Sequence, residues 1–330
     1  MEYYFAPMEG ITGGEYRRAH HRYFSGVDKY YMPFISPTRD RRFTPRELRN
    51  IAPEANEGLP AVPQLLTRDP EDFLWAAREL QAMGYREVNL NLGCPSGTVV
   101  AKGKGAGMLA DPGKLDRFLD AVFGGTDMAV SLKVRLGLSD PEEFSALLDV
   151  FARYPVALLI IHPRVREDYY SRPLRPAFFR MALERCTGPV CYNGGLRTEA
   201  DCRAFSDAFP TVDRVMIGQG LLANPALARQ VKGGPGPRLE ELEALHDELY
   251  AVYLRNFSGE RAAVFHMKEL WSYQRRLFEG GARLFKQIRK AQDAAGYEAS
   301  VREIFRTLPL RQDADWSEEC PWSAGLQSAG

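Results

Sequence analysis

Val88-Asn89-Leu90-Asn91-Leu92-Gly93-Cys94-Pro95 is the stretch from which both fold and chemistry can be worked out. Val88 to Leu92 alternates apolar and polar residues with the period of a short strand, and Gly93 and Pro95 then turn the backbone. Cys94, with Asn91 just ahead of it, therefore falls at the carboxyl end of a strand, where reacting groups gather in parallel α/β folds. Glycines at 97, 103, 105 and 107 follow at once, which reads as a mobile loop able to carry Cys94 over a substrate. A lone cysteine beside a tight turn is more often a small buried side chain than a reacting one. The rest of the chain reverses that preference.

Short apolar runs recur along the sequence: 3–6, 27–31, 61–64, 88–92, 130–134, 157–161, 190–192 and 215–217. Amphipathic helical segments lie between most of them, as at 70–83, where Pro70 opens the first turn and Gly84 stops the last, and at 112–123, 141–153 and 198–208. Strands alternating with helices in this number predict an α/β fold, a closed (β/α)8 TIM barrel of roughly 250 residues. Residues 130–134 and 157–161 hold almost no polar side chain, as expected of strands buried on both faces. Gly233-Gly234-Pro235-Gly236-Pro237 can propagate neither helix nor strand and reads as a linker. The expected organisation is a catalytic barrel over 1–232, a small helical domain over 238–310, and a loosely held tail over 311–330.

Composition narrows the function classes. The chain has 43 basic and 43 acidic side chains, so bulk charge gives no sign of a polyanionic partner, and any nucleic-acid surface must come from local clustering. No apolar run approaches the roughly 20 residues that cross a bilayer, and the start of the chain lacks the basic residues of a signal peptide. The five cysteines (94, 186, 191, 202 and 320) form no CxxC pair. A reduced, cytoplasmic setting is expected, without a membrane partner and with the chain acting as a monomer.

The residues that follow each strand fall into one chemical class. The first strand ends in Pro7-Met8-Glu9-Gly10, the third in Gln64, the fourth in Asn91 and Cys94, and the fifth in Lys133 and Arg135. The sixth ends in His162-Pro163-Arg164, the seventh in Asn193-Gly194-Gly195, and the eighth in Gly218-Gln219-Gly220. Hydrophobic strands that repeatedly end in amide, basic, imidazole and glycine groups build one polar site on one barrel face. The glycines after the last two strands suit a phosphate, because bare backbone N–H groups approach an anion closely. Lys133 and Gln64 suit the electron-rich edge of a flavin.

Taken together, Ala6-Pro7-Met8-Glu9-Gly10, Asn91-Leu92-Gly93-Cys94-Pro95, Lys133-Val134-Arg135, His162-Pro163-Arg164, Asn193-Gly194-Gly195 and Ile217-Gly218-Gln219-Gly220 resemble the tRNA-dihydrouridine synthases, from about residue 3 to 230 in that family's order. The resemblance implies an FMN-bound barrel that reduces selected uridines of tRNA with NADPH. Pro7, Met8 and Glu9 would hold the isoalloxazine, Gln64, Lys133 and His162 would make polar contacts to the cofactor, and Asn193, Gly194, Gly195, Gly218 and Gln219 would surround its phosphate. Asn91 would orient the uracil. Hydride would reach uracil C6 from reduced flavin and the proton would reach C5 from Cys94, whose thiol is mostly protonated at neutral pH. The family often has arginine where this chain has Gln219, and Asn-Gly-Asp where it has Asn193-Gly194-Gly195; both departures bear on FMN affinity rather than on the chemistry. Alternative readings are a flavin-dependent reductase of a free pyrimidine or other small molecule, and a catalytically silent RNA-binding protein.

Residues 268–290 carry seven basic side chains against two acidic ones, a local net of +5, with Trp271, Tyr273, Phe278 and Phe285 interleaved. Arg283, Lys286 and Lys290 share one helix face suited to a phosphate backbone. Most of the aromatics read as core. Arg164 and Arg166, just past the sixth strand, are expected to extend this RNA surface to the barrel mouth.

Overall fold

The apolar runs form parallel strands in a computed structural model that describes residues 1–38 and 40–317. Among the described residues these are β1 (Glu2–Phe5), β2 (Lys29–Tyr31), β3 (Ala61–Val62), β4 (Gln64–Leu65), β5 (Glu87–Leu92), β6 (Ala129–Arg135), β7 (Leu158–His162), β8 (Val190–Asn193) and β9 (Arg214–Ile217). The sheet order is β3-β2-β1-β9-β8-β7-β6-β5-β4, every pairing parallel. Its two ends are consecutive in sequence. Pro63 has no N–H to donate and splits the expected strand 61–64 into β3, which pairs with β2, and β4, which pairs with β5. The strip from 61 to 65 thus closes the sheet into the (β/α)8 barrel.

The barrel interior is apolar along one arc and polar along the other. Tyr4, Ala6, Tyr31, Val62, Leu158, Ile160, Cys191 and Met216 form an inner cluster of their own. Opposite them, Glu87 at the amino end of β5 pairs with Lys29 at 2.6 Å and accepts from Tyr31 Oη at 3.1 Å and Ser131 Oγ at 2.8 Å.

Around the barrel run α1 (Gly14–Tyr23), α2 (Pro45–Ile51), α3 (Pro70–Ala82), α4 (Gly97–Val100), α5 (Pro112–Gly125), α6 (Glu143–Phe151), α7 (Pro176–Arg185), α8 (Glu199–Ala208), α9 (Gln219–Ala223) and α10 (Leu227–Val231). Asp69, Asp111 and Thr198 cap α3, α5 and α8 with their side chains, and Pro follows the cap in the first two, as the sequence signals required. The helical C-terminal region comprises α11 (Leu239–Asn256), α12 (Glu260–Gln274), α13 (Ala282–Lys290) and α14 (Ala294–Thr307). Its buried residues belong to the same apolar cluster as the barrel's outer layer, and Glu248 of α11 accepts from both Arg22 and Tyr23 of α1. Gly233–Pro237 forms neither helix nor strand, yet it is strapped: Arg229 donates to the carbonyls of Pro235 and Gly236 at 2.9 and 2.8 Å and pairs with Glu241.

The expectation of a loosely held tail is corrected over 311–317. Ala314 and Trp316 are buried, and Asp313 accepts from the Glu199 amide at 2.7 Å and from Asn224 Nδ2 at 3.1 Å. The remainder of that tail, with Cys320, lies outside the described residues. No helix among the described residues is long and apolar enough to cross a membrane.

Gly26, in the turn between α1 and β2, packs directly on the backbone of α10. Its φ is +102°, and a Cβ there would stand 2.6 Å from the Arg229 nitrogen and 2.7 Å from the Ala228 carbonyl carbon. Backbone cannot step aside as a flexible side chain can. Gly26→Ala is therefore expected to cost about 2–4 kcal/mol, from the strained φ and the overpacking together. Urea unfolding of the variant checks this, and a loss under about 1 kcal/mol would contradict it.

Candidate active site at the carboxyl ends of the strands

Cys94 follows β5 directly and is half-buried. Its position is set by backbone, not by its own side chain. The Asn91 Oδ1 accepts from the Gly93 and Cys94 amides at 3.1 and 2.9 Å, closing a turn, and the Cys94 carbonyl accepts from the Ala106 amide at 3.2 Å. Arg135, at the end of β6, donates through Nε to the Gly93 carbonyl at 2.9 Å and through a terminal nitrogen to Val165 O at 2.9 Å, tying the turn to the loop after β7. Arg166 donates to the Pro95 carbonyl at 3.2 Å. The glycine-rich stretch expected to be a mobile loop is instead α4 followed by a 3-10 turn at Gly105–Ala110, packed against the cysteine and hydrogen-bonded to it. Glycine there permits tight packing rather than free movement.

Beneath this turn runs a line of buried amides. Asn91 Nδ2 donates to Gln64 Oε1 at 2.8 Å, Gln64 Nε2 to Asn89 Oδ1 at 2.7 Å, and Asn89 Nδ2 to Ser131 Oγ at 2.9 Å. Gln64 is fully buried within the barrel. The Asn91 oxygen thus shapes the Cys94 turn, while its nitrogen, which carries two N–H groups, gives one of them to Gln64.

Beside Cys94 opens a cavity lined by Pro7, Met8, Lys133, His162, Arg164, Tyr170, Asn193, Gly194, Gly195, Arg197, Gly218 and Gln219. The structure thus brings nine of the eleven expected cofactor residues to one wall. Glu9 and Gln64 are the exceptions: Glu9 faces a neighbouring groove beside Arg46 at 3.4 Å, and Gln64 lies below. Gly194 has φ +131°, and a Cβ on it would come 2.9 Å from the His162 ring; on Gly218 it would come 3.1 Å from the Met8 sulfur. A backbone stripped of side chains at these points forms a cradle for an anionic, ring-bearing ligand. Asn193 lines the same wall, and its Nδ2 donates to Met216 O at 2.8 Å and locks β8 to β9.

Electrostatics divide the site into defined protonation states. Burial, then Arg135, Arg164 and Lys133, holds the His162 imidazole far below its ordinary pKa and therefore neutral. Its Nε2 consequently accepts from Arg164 at 2.9 Å. Burial, helped by Arg135, lowers Lys133 to about 8, leaving it mostly cationic near neutrality. Burial raises the Cys94 thiol, only partly offset by the Ser96 amide and by Arg135 and Lys133, so it remains protonated.

Arg164 is a correction. It was expected on an exposed RNA surface, but it is buried, bonded to His162 and to the Arg172 carbonyl at 2.6 Å, and forms cavity wall. On α13, Arg283, Lys286 and Lys290 are all exposed as expected. The basic groove beside them, however, is lined by Lys286 and Arg289 together with Lys268, Arg275, Arg276 and Arg311, and not by Arg283 or Lys290. Trp271 and Phe278 are core, as read from the sequence, with Trp271 Nε1 donating to Tyr297 Oη at 3.0 Å. Sequence reasoning missed Asn89, Tyr170, Arg197 and Trp316. Asn89 had a signal, since it shares a strand face with Asn91; Tyr170, whose ring lies 5.3 Å from the Arg135 guanidinium, had none.

A family model described as dihydrouridine synthase matches residues 4–307. A tRNA-dihydrouridine(16) synthase of Ralstonia nicotianae is 32% identical over 307 residues, 88% of this chain and 92% of the relative. Another, from Cupriavidus necator, is 32% identical over 329 residues, 93% of this chain and 97% of the relative. A tRNA-dihydrouridine(20/20a) synthase of Xanthomonas campestris pv. campestris is 30% identical over 265 residues, 75% and 77% of the two chains. Among solved structures, morphinone reductase shares the barrel fold with a TM-score of 0.52 at 15% identity, covering 71% of this chain and 86% of that one. The family match runs from the first strand to the last helix, and it encloses the cysteine turn, the neutral histidine and the glycine cradle: the chain belongs to the dihydrouridine synthase family.

Proposed function

We propose that the chain reduces uridine 16 of tRNA to 5,6-dihydrouridine, holding FMN in the glycine-cradled cavity and drawing on NADPH as reductant. The observation that carries this reading is a protonated thiol, fixed by the Asn91 turn, beside a cavity with a cation and a neutral imidazole on its wall. Position 16 is favoured because the Ralstonia and Cupriavidus relatives carry it in their names.

A reduced flavin bound in the cavity would supply a hydride to uracil C6. Cys94 then gives its Sγ proton to C5, so the double bond takes up one hydride and one proton, and the thiolate left behind is reprotonated from solvent. Lys133 offsets negative charge as it develops on the ring system. His162, kept neutral, adds no further positive charge beside Lys133 and Arg135. Arg135 and Asn91 act as positioning residues, holding the peptide that carries the thiol.

RNA would lie along the helical region. The groove lined by Lys268, Arg275, Lys286 and Arg289 suits a phosphate backbone. On the same outer face of α12, the half-exposed Phe265 ring lies between Arg261 at 5.6 Å and Lys268 at 4.5 Å, a platform for an unpaired base. The target uridine must leave its stack to reach the thiol.

Three outcomes are expected. In cells lacking the gene, wild-type chain restores dihydrouridine at tRNA position 16, whereas Cys94→Ala, which purifies with flavin reducible by NADPH, lowers formation by about 10²–10⁴-fold. Mapping by reverse transcription checks both, and restoration only at position 20, or full activity without the thiol, would overturn the respective claims. Alkylation of Cys94 followed by peptide mass spectrometry over a pH series should titrate above an ordinary thiol, because burial disfavours the thiolate; rapid labelling at pH 7 would contradict the acid role. Finally, Lys286→Glu with Arg289→Glu should flatten the salt dependence of tRNA binding by about one unit of slope per lost contact, more than Arg283→Glu with Lys290→Glu. Equal slopes in the two variants would remove the groove from the RNA path.

A further inference from the structure

Cys94 stands between two peptide carbonyls, and an arginine holds each of them. Arg135 donates to the Gly93 carbonyl at 2.9 Å and Arg166 to the Pro95 carbonyl at 3.2 Å. Each guanidinium also lies against a tyrosine ring, Arg135 on Tyr170 and Arg166 on Tyr169, both at 5.3 Å. Tyr170 lines the cavity beside the thiol. Tyr169 is its outward counterpart, on the arginine that grips the far side of the cysteine turn.

Tyr169 is placed against the preference of its own backbone. Residues 168–171 form a turn closed by the Ser171 amide on the Asp168 carbonyl at 3.1 Å. Tyr169, the first central residue, has φ +48° and ψ −104°. Those angles belong to a type II′ turn, whose first central position favours glycine because a bulky side chain is strained there. The turn is held from below: Asp168 accepts from the Val165 amide at 2.9 Å and pairs with Arg175. Burial does not offset the strain, since the ring is 44% exposed and its hydroxyl bonds to no partner among the described residues. What the arrangement does achieve is an aromatic surface fixed at the rim of the Cys94 turn. A ring already held by a cation and a rigid turn gives up little freedom when a base stacks on it. A uridine that leaves its stack to reach the thiol also uncovers the face of its neighbour.

We infer that Tyr169, seated on Arg166, is the stacking platform for the nucleotide adjoining the target uridine. This rests on the reading of the chain as a uridine reductase of tRNA. The full chain with its flavin is assayed for dihydrouridine over a range of tRNA concentrations, beside flavin reduction by NADPH and urea unfolding. Tyr169→Gly is expected to raise KM for tRNA about 5–100-fold, the loss of one base–aromatic stack, with kcat and flavin reduction within about twofold. Its urea midpoint should equal or exceed that of wild type, because glycine takes this turn unstrained. Tyr169→Phe should keep the wild-type KM, since the ring and not the hydroxyl carries the stack. Of two tRNAs with an abasic nucleotide immediately before or after the target, one should raise KM for wild type by a similar factor and add nothing in Tyr169→Gly. A KM in Tyr169→Gly within about twofold of wild type, a lowered urea midpoint, or losses that add for both abasic tRNAs overturns the inference and leaves the reductase reading intact. Wild-type chain that reduces its flavin but forms no dihydrouridine in tRNA overturns both.

Discussion

One buried chain of hydrogen bonds sets the orientation of the Cys94 turn at the barrel mouth. It begins at Glu87, a carboxylate that can only accept. Ser131 must therefore donate to it, which leaves the Ser131 oxygen to accept from the Asn89 amide nitrogen. That turns the Asn89 oxygen toward Gln64, the Gln64 oxygen toward Asn91, and the Asn91 oxygen toward the amides of Gly93 and Cys94. Reversing any one amide would oppose donor to donor in a dry interior, at about 1–3 kcal/mol for each unsatisfied group. An ion pair at the floor of the barrel thus decides how a peptide is held at its top.

This arrangement explains why a polar file runs through an otherwise apolar barrel. A core of Leu and Val along the same arc would pack as well but would leave the Cys94 turn without a support that has direction. The arc lined by Tyr4, Ile160, Cys191 and Met216 supplies packing; the arc with Glu87, Asn89 and Gln64 supplies orientation. Parallel strands place both at once, since each strand sends alternate residues inward and ends on the same face as its neighbours.

The helical region is joined to that scaffold by more than a linker. Arg229 fastens the Gly-Pro stretch, Glu248 grips α1, and the segment 311–317 returns across the chain so that Trp316 touches one arginine of the cavity wall and one of the basic groove. Trp316 therefore touches both the basic groove and the cavity wall.

Much of this was legible in the order of residues. Strands and four barrel helices announced themselves through period and, at 70–83, through a proline at the first turn and a glycine at the stop, and the strand-end residues declared a common site because parallel topology leaves them no other place to gather. Helix α1 escaped notice because its inward face is Tyr16, Arg17 and His20 rather than an aliphatic stripe; the terminal nitrogens of Arg17 donate to the Thr12 and Asn50 carbonyls, and the His20 ring bonds Tyr30 and the Pro225 carbonyl, 205 residues away. Arg164 and Arg197 look alike in sequence, two and four residues beyond the end of a strand, and nothing local says that both turn inward. Local pattern determined which elements form and which chemistry collects at the barrel mouth, because periodicity and backbone preference act over a few residues. Which side chains meet there, whether a basic residue faces solvent or cavity, and that residues 311–317 fold back on the barrel were decided by tertiary structure, because burial and long-range hydrogen bonds exist only once the ring of strands has closed.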